Sequence, residues 1–266
     1  NKTMTFAASM QLFHKEYPGP GKPLIIMHGL FGMLDNWHNL ARKFSENFHV
    51  FLLDLRNHGQ SPHSAVMNYP IMADDLWEVM QQKGLSKANI LGHSMGGKVA
   101  MEFALKYPDK CDKLIVVDIA PVNYKPGHNE VFEALFNLDI SNGEKSRKEL
   151  DQEMTAWIQD FGTRQFLLKS LVRKEEGGYY WKFNLPVIHQ HYSEIIAGIE
   201  GNRTFEKEAL FLRGGKSRYV KEEHHGEITQ LFPNHQLHTI EDAGHWVHAE
   251  KPTELIEAVT KFLLSE

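Results

Sequence analysis

Ser94 stands in Gly92-His93-Ser94-Met95-Gly96, a G-x-S-x-G arrangement followed at once by Gly97. Small residues on either side of a serine suit a sharp strand-to-helix turn, where side chains would collide with the strand and the helix. Such a turn offers the hydroxyl as a nucleophile; the plainer reading is a serine capping a helix after a glycine-rich turn. Serine is a weak nucleophile at neutral pH, so the first reading requires a base, an acid to orient it and donors for an oxyanion. His245, in Ala243-Gly244-His245-Trp246, is the candidate base. His248 competes, but it falls at the start of a helical segment, which favours a structural role.

The acid is harder to place. The turn after the penultimate predicted strand reads Leu212-Arg213-Gly214-Gly215-Lys216-Ser217-Arg218-Tyr219 and holds no carboxylate. Ser217 cannot stabilise an imidazolium by charge. Asp118 ends the apolar run Val116-Val117, where an aspartate is costly to bury unless it is paired, and it is the leading candidate. Asp242 is the alternative and reads more naturally as a turn residue. Backbone N–H groups of Met95, at a helix N-terminus, and of Leu30, in His28-Gly29-Leu30-Phe31-Gly32, are the expected oxyanion donors. Together these groups would carry acyl transfer to water.

The elements that must position them follow from periodicity. Leu24 to Met27, Val50 to Asp54, Asn89 to Leu91, Lys113 to Asp118, Leu210 to Arg213 and Gln236 to Ile240 are predicted strands, each running into a polar loop. One or two antiparallel strands are expected around Met4 to Phe13, making seven or eight in all. Helices fit Asp35 to Ser45, Pro70 to Gln82, Met95 to Lys106 and Thr253 to Leu264, the last with Leu255, Val259, Phe262 and Leu263 on one face. The alternation is that of a mostly parallel sheet with helices on both faces. Between 121 and 203 it breaks, leaving charged helical stretches and a short strand at 177–183, and this segment reads as a cap inserted over the carboxyl ends of the strands. The core is then 1–120 and 204–266.

Composition narrows the function classes. The chain has 266 residues, 29 Lys and Arg against 34 Asp and Glu, and no long block of one sign, so nucleic acid and anionic surfaces are poor partners. No apolar run reaches membrane-span length. A single cysteine, Cys111, and the lack of a basic segment leading into an apolar one point to the cytoplasm. Of the 16 histidines, His189 and His191 with His224 and His225 invite a metal reading, but no ligand partner stands at a recognisable spacing, so no metal is expected. Trp246, Trp181 and Phe31 are candidates for substrate contact; Asp54 with Arg56 reads as a loop anchor, and Lys98 as part of a solvated helix face.

These residues add up to a resemblance. With Asp54-Leu55-Arg56-Asn57-His58-Gly59, Met67-Asn68-Tyr69-Pro70 and Asp118-Ile119-Ala120-Pro121-Val122 beside the nucleophile and histidine motifs, the chain resembles the α/β-hydrolases, and among them the bacterial YbfF-type esterases, over essentially its whole length. The resemblance implies the α/β-hydrolase fold and a cofactor-free serine esterase with a helical cap. It also implies a triad acid after the sixth strand, at Asp118. The expected partner is a small-molecule acyl ester or thioester. An acyl-CoA thioesterase, a carbon–carbon bond hydrolase or lyase, and a small-molecule receptor that keeps a hydrolase pocket are the competing expectations.

Overall fold

In the computed structural model, which describes residues 8–266, the apolar runs read from the sequence become strands, buried on both faces except for the run at Gln236 to Ile240, which lies half-exposed at the sheet edge. Strand β1 is His14–Tyr17 and β2 Pro23–Met27; a short 3-10 turn leads to α1, His38–Phe44, and then to β3, His49–Leu53. Next come α2 (Tyr69–Gln82), β4 (Ala88–His93), α3 (Met95–Lys106) and β5 (Cys111–Val117). The chain then leaves the sheet through α4 (Asn129–Asn137), α5 (Arg147–Met154) and α6 (Phe161–Leu168). A hairpin of β6 (Leu171–Arg173) and β7 (Tyr179–Trp181) and two short helices, α7 (Leu185–Gln190) and α8 (Tyr192–Ile195), complete the excursion. It returns as β8 (Ala209–Gly214), α9 (His225–Leu231), β9 (His235–Ile240), α10 (Val247–Glu250) and α11 (Pro252–Leu264).

Among the described residues the main sheet has seven strands in the order β1-β3-β2-β4-β5-β8-β9, all parallel except β1. Alternate residues of each strand feed opposite layers. Leu24 and Ile26 join Leu52, Leu91 and Ile115 under α1 and α11, where Leu255, Val259, Phe262 and Leu263 are buried. Ile25 and Met27 join Phe51, Ile90 and Val116 under α2 and α3. Two covered faces explain why β2 is an unbroken apolar run. The same second layer continues without a break into Phe132, Leu150, Leu167 and Phe183 of the excursion, so those helices share the core of the sheet.

The expectation of strands around Met4 to Phe13 needs correction. Residues 4–7 lie outside the described residues, and 8–13 are irregular. Their backbone is satisfied by side chains: Met10 N–H donates to Asp75 Oδ1 (2.9 Å) and Phe13 N–H to Ser61 Oγ (2.9 Å). A ladder needs those same donors; the Phe13 carbonyl accepts Asp54 N–H (2.9 Å), and the one antiparallel strand that brings the main sheet to seven starts at His14. Among the described residues, no helix is long and apolar enough to cross a membrane.

Candidate active site

Ser94 sits between the end of β4 and the start of α3 with φ 54° and ψ −119°, a strained backbone position. Its neighbours are glycines because the turn is that tight. A Cβ on Gly92 would run into the Gly96 carbonyl, and one on Gly96 into the carbonyls of Met27 and His28 on the adjoining strand. The hydroxyl so presented lies 2.9 Å from His245 Nε2, to which it can donate. His245, in the loop after β9, donates from Nδ1 to Asp118 Oδ2 at 2.7 Å. Asp118, fully buried just past β5, also accepts from Gly214 N–H at its other oxygen (2.9 Å) and from the Ser217 hydroxyl (2.5 Å). The structure therefore brings Ser94, His245 and Asp118 together across three loops at one edge of the sheet. Asp242 points to solvent beside Lys216. His248 is buried and stacked on Trp37, with ring centroids 4.4 Å apart.

Two histidines shape the loop after β2. His28 accepts Leu55 N–H at Nε2 (3.0 Å), and Nδ1 reaches the Gly29 carbonyl (2.7 Å). His58 accepts Phe31 N–H at Nε2 (3.0 Å), and Nδ1 reaches the Arg56 carbonyl (3.0 Å). A ring that accepts at Nε2 and meets a carbonyl at Nδ1 must be the neutral Nδ1–H tautomer. Burial lowers the pKa of His28 to about 4 and of His58 to about 3. By engaging Phe31 N–H, His58 fixes the turn at Phe31, whose φ is 65°, and Leu30 N–H has no protein partner among the described residues. Met95 N–H, in the first turn of the 12-residue α3, is the other amide beside Ser94. Both amides are suited to a developing negative charge, helped by the positive end of the helix.

The remaining candidates separate. Trp246 and Phe31 line a cavity of about 590 Å³ that also holds Ser94 and His245. Trp181 lines neither cavity next to Ser94, which corrects the expectation of substrate contact: its ring stacks on Phe183 (5.2 Å), and Phe183 in turn packs on Phe31. Arg56 anchors its loop, but through Asp75, by two bonds of 2.7 and 2.9 Å, while Asp54 accepts backbone N–H groups of Leu34 and Gln60. Lys98 does not face solvent. It is 1% exposed, and its ammonium donates to the carbonyls of Val122 (2.9 Å), Ile196 (3.2 Å) and Ala197 (2.5 Å), where the excursion leaves and rejoins the core. Burial lowers its pKa to about 7. His189 packs on Phe132 and Phe136, and His191 bridges Glu194 and the Ala65 carbonyl.

Residues 22–252 match the family described by the α/β hydrolase fold. The chain belongs to the α/β-hydrolase fold family. Within it, the chain is 40% identical to the esterase YbfF of Escherichia coli (strain K12) over 91% of this chain and 92% of that protein. It is 41% identical to the sn-1-specific diacylglycerol lipase of Mus musculus over 90% of this chain and 80% of that one. A solved structure described as a marine microorganism esterase superposes with a TM-score of 0.93 at 41% identity, covering 96% of this chain and all of that one.

Several groups of this α/β hydrolase escape a reading of the sequence. The Tyr219 ring stacks on His245 with centroids 3.9 Å apart and an interplanar angle of 22°. The contact fixes the plane of the imidazole from the face that neither Ser94 nor Asp118 occupies. Ser217 occupies the turn after β8, where no carboxylate stands, and its hydroxyl is bonded to the carboxylate that comes from β5 instead. The absence of an acid in that turn is the sequence signal for this arrangement. His93 reaches the His245 carbonyl from Nε2 (2.8 Å), adding a second hold on the loop that carries the base.

Proposed function

We propose that the chain is a serine hydrolase that cleaves carboxylic esters, with Ser94 as nucleophile, His245 as general base and then acid, and Asp118 as the group that orients the imidazole. The unbroken line of hydrogen bonds from Ser94 Oγ through His245 to Asp118 carries this reading. Attack by Oγ on the ester carbonyl passes its proton to His245 Nε2. The oxyanion is met by Leu30 and Met95 N–H. His245 then returns the proton to the leaving oxygen, leaving an acyl-enzyme that water hydrolyses by the same steps in reverse roles. No step calls for a cofactor.

The segment 121–203 acts as a cap over this centre, with 1–120 and 204–266 as the core, and Trp246 and Phe31 contact the substrate from the core side. The names of the relatives, an esterase and a diacylglycerol lipase, support an ester substrate over a carbon–carbon bond. The single cysteine, Cys111, is buried and unpaired, which supports a reducing, cytoplasmic setting. The test is hydrolysis of p-nitrophenyl esters and matched thioesters by the wild type and by Ser94→Ala. Ester turnover that disappears with Ser94→Ala is expected; turnover unchanged in the variant would overturn the reading, and a burst of one equivalent without further turnover would favour a receptor.

A further inference from the structure

Two cavities meet at Ser94, and they differ in size, lining and relation to the base. The smaller, about 210 Å³, is walled by Met95, Ile119, Ile195 and Ile196 with Tyr69, and three cationic side chains, Lys98, Lys125 and Arg218, also line it. The larger, about 590 Å³, carries polar groups from Asn36, Asp160, Thr163 and Glu250. Ser94, Leu30, His128 and Tyr219 line both, whereas His245 and Trp246 line only the larger.

Resting on the serine-hydrolase reading above, we propose that the smaller cavity receives the acyl group and the larger one the alcohol of the ester. The argument is one of proton delivery. In the tetrahedral adduct the central carbon holds Ser94 Oγ, the oxyanion, the acyl chain and the leaving oxygen. The leaving oxygen must take its proton from His245 Nε2, so it points to the cavity that contains His245. With the oxyanion held between Leu30 and Met95, the acyl chain is directed to the other side, which is the smaller cavity.

The linings then define the substrate class. The acyl group is compact, and apolar where it meets Met95, Ile119, Ile195 and Ile196, with Lys98, Lys125 and Arg218 at the same chamber. Helix α3 supplies Met95 and Lys98 to its wall, and the Lys98 ammonium ties the loops around Val122 and Ile196 together, so the wall against which the acyl chain packs is held in place. The alcohol is the bulkier part and bears hydrogen-bonding groups. Two carboxylates in its chamber, Asp160 and Glu250, with no Lys or Arg lining beside them, disfavour a negative charge close to the ester oxygen.

Ile195 lines only the acyl chamber and Val131 only the alcohol chamber, and neither belongs to the catalytic machinery. Two ester series separate the chambers: p-nitrophenyl acetate, butyrate and octanoate, and butyrates of ethanol, glycerol and 2-naphthol. Each variant is compared with wild type on the same ester, so intrinsic reactivity cancels. Ile195→Trp is expected to lower the octanoate-to-acetate ratio of kcat/KM by roughly 10-fold or more and to move ratios in the alcohol series by less than about 2-fold. Val131→Trp is expected to do the converse. Ile195→Ala, which removes bulk, should shift the acyl optimum to longer chains and keeps the test open if the tryptophan variant does not fold. Interchanged effects, or both series moving together in one variant, would overturn the assignment. Absence of any Ser94-dependent ester turnover in the wild type would instead remove the serine-hydrolase reading on which it rests.

Discussion

Lowering the pH from 7 to 5 should destabilise this protein, because several histidines are buried as neutral rings. In the folded chain burial holds His28 at about 4, and His58 and His248 at about 3. In the unfolded chain each returns to about 6.5. A folded pKa below the unfolded one means that between the two values the unfolded state binds more protons, so stability falls as the pH falls. At pH 5 the unfolded form of each ring gains about 2 kcal/mol relative to the folded form, from 1.36 kcal/mol per pH unit over about 1.5 units. Three such rings give about 6 kcal/mol, less the small amount already present at pH 7, which rivals the whole stability of an ordinary domain. Asp54 and Asp75, both raised by burial, act in the opposite sense as the pH falls.

The assay is thermal and urea unfolding at pH 7, 6 and 5, together with imidazole proton shifts by NMR. A fall in Tm on the order of 10 °C or more is expected, with His28 and His58 resonances that do not titrate in the folded protein above about pH 5. His248→Phe, which keeps a ring stacked on Trp37, should flatten the dependence by about 2 kcal/mol across the interval. A Tm constant from pH 7 to 5, or a folded His28 titrating near 6.5, would refute the reasoning.

Asp118→Asn is expected to lower kcat by about 10³- to 10⁴-fold, since the amide cannot favour the same tautomer and charge of His245. Ser217→Ala removes one of three bonds to the same carboxylate and should cost no more than about 10-fold; steady-state kinetics of both variants, with circular dichroism as a check on folding, decides. Lys98→Met leaves three carbonyls without their donor while also relieving a buried charge, and a net loss of about 2 kcal/mol is expected by urea unfolding.

How much of this was legible in the sequence depends on where each group finds its partner. The central strands were readable because both faces of the sheet are covered there, so Leu24-Ile25-Ile26-Met27 has no polar residue to blur it. Helix α3 was readable to its ends because the glycine turn precedes it and Pro108 follows soon after. The first strand was not, because side chains of Asp75 and Ser61, far along the chain, take the N–H groups of Met10 and Phe13. Lys98 looks like any lysine on a helix, and its acceptors are backbone carbonyls, which leave no mark on the sequence. His58 serves Phe31 from 27 residues away, so its place in shaping the Leu30 turn becomes visible only once β2 and β3 lie side by side.

The nucleophile itself is the central claim, and covalent labelling tests it most directly. Intact-protein mass spectrometry after treatment with a fluorophosphonate, followed by peptide mapping, should show one adduct, on Ser94, with loss of ester turnover in proportion to labelling. Labelling elsewhere, or full turnover by a protein quantitatively modified at Ser94, would contradict it.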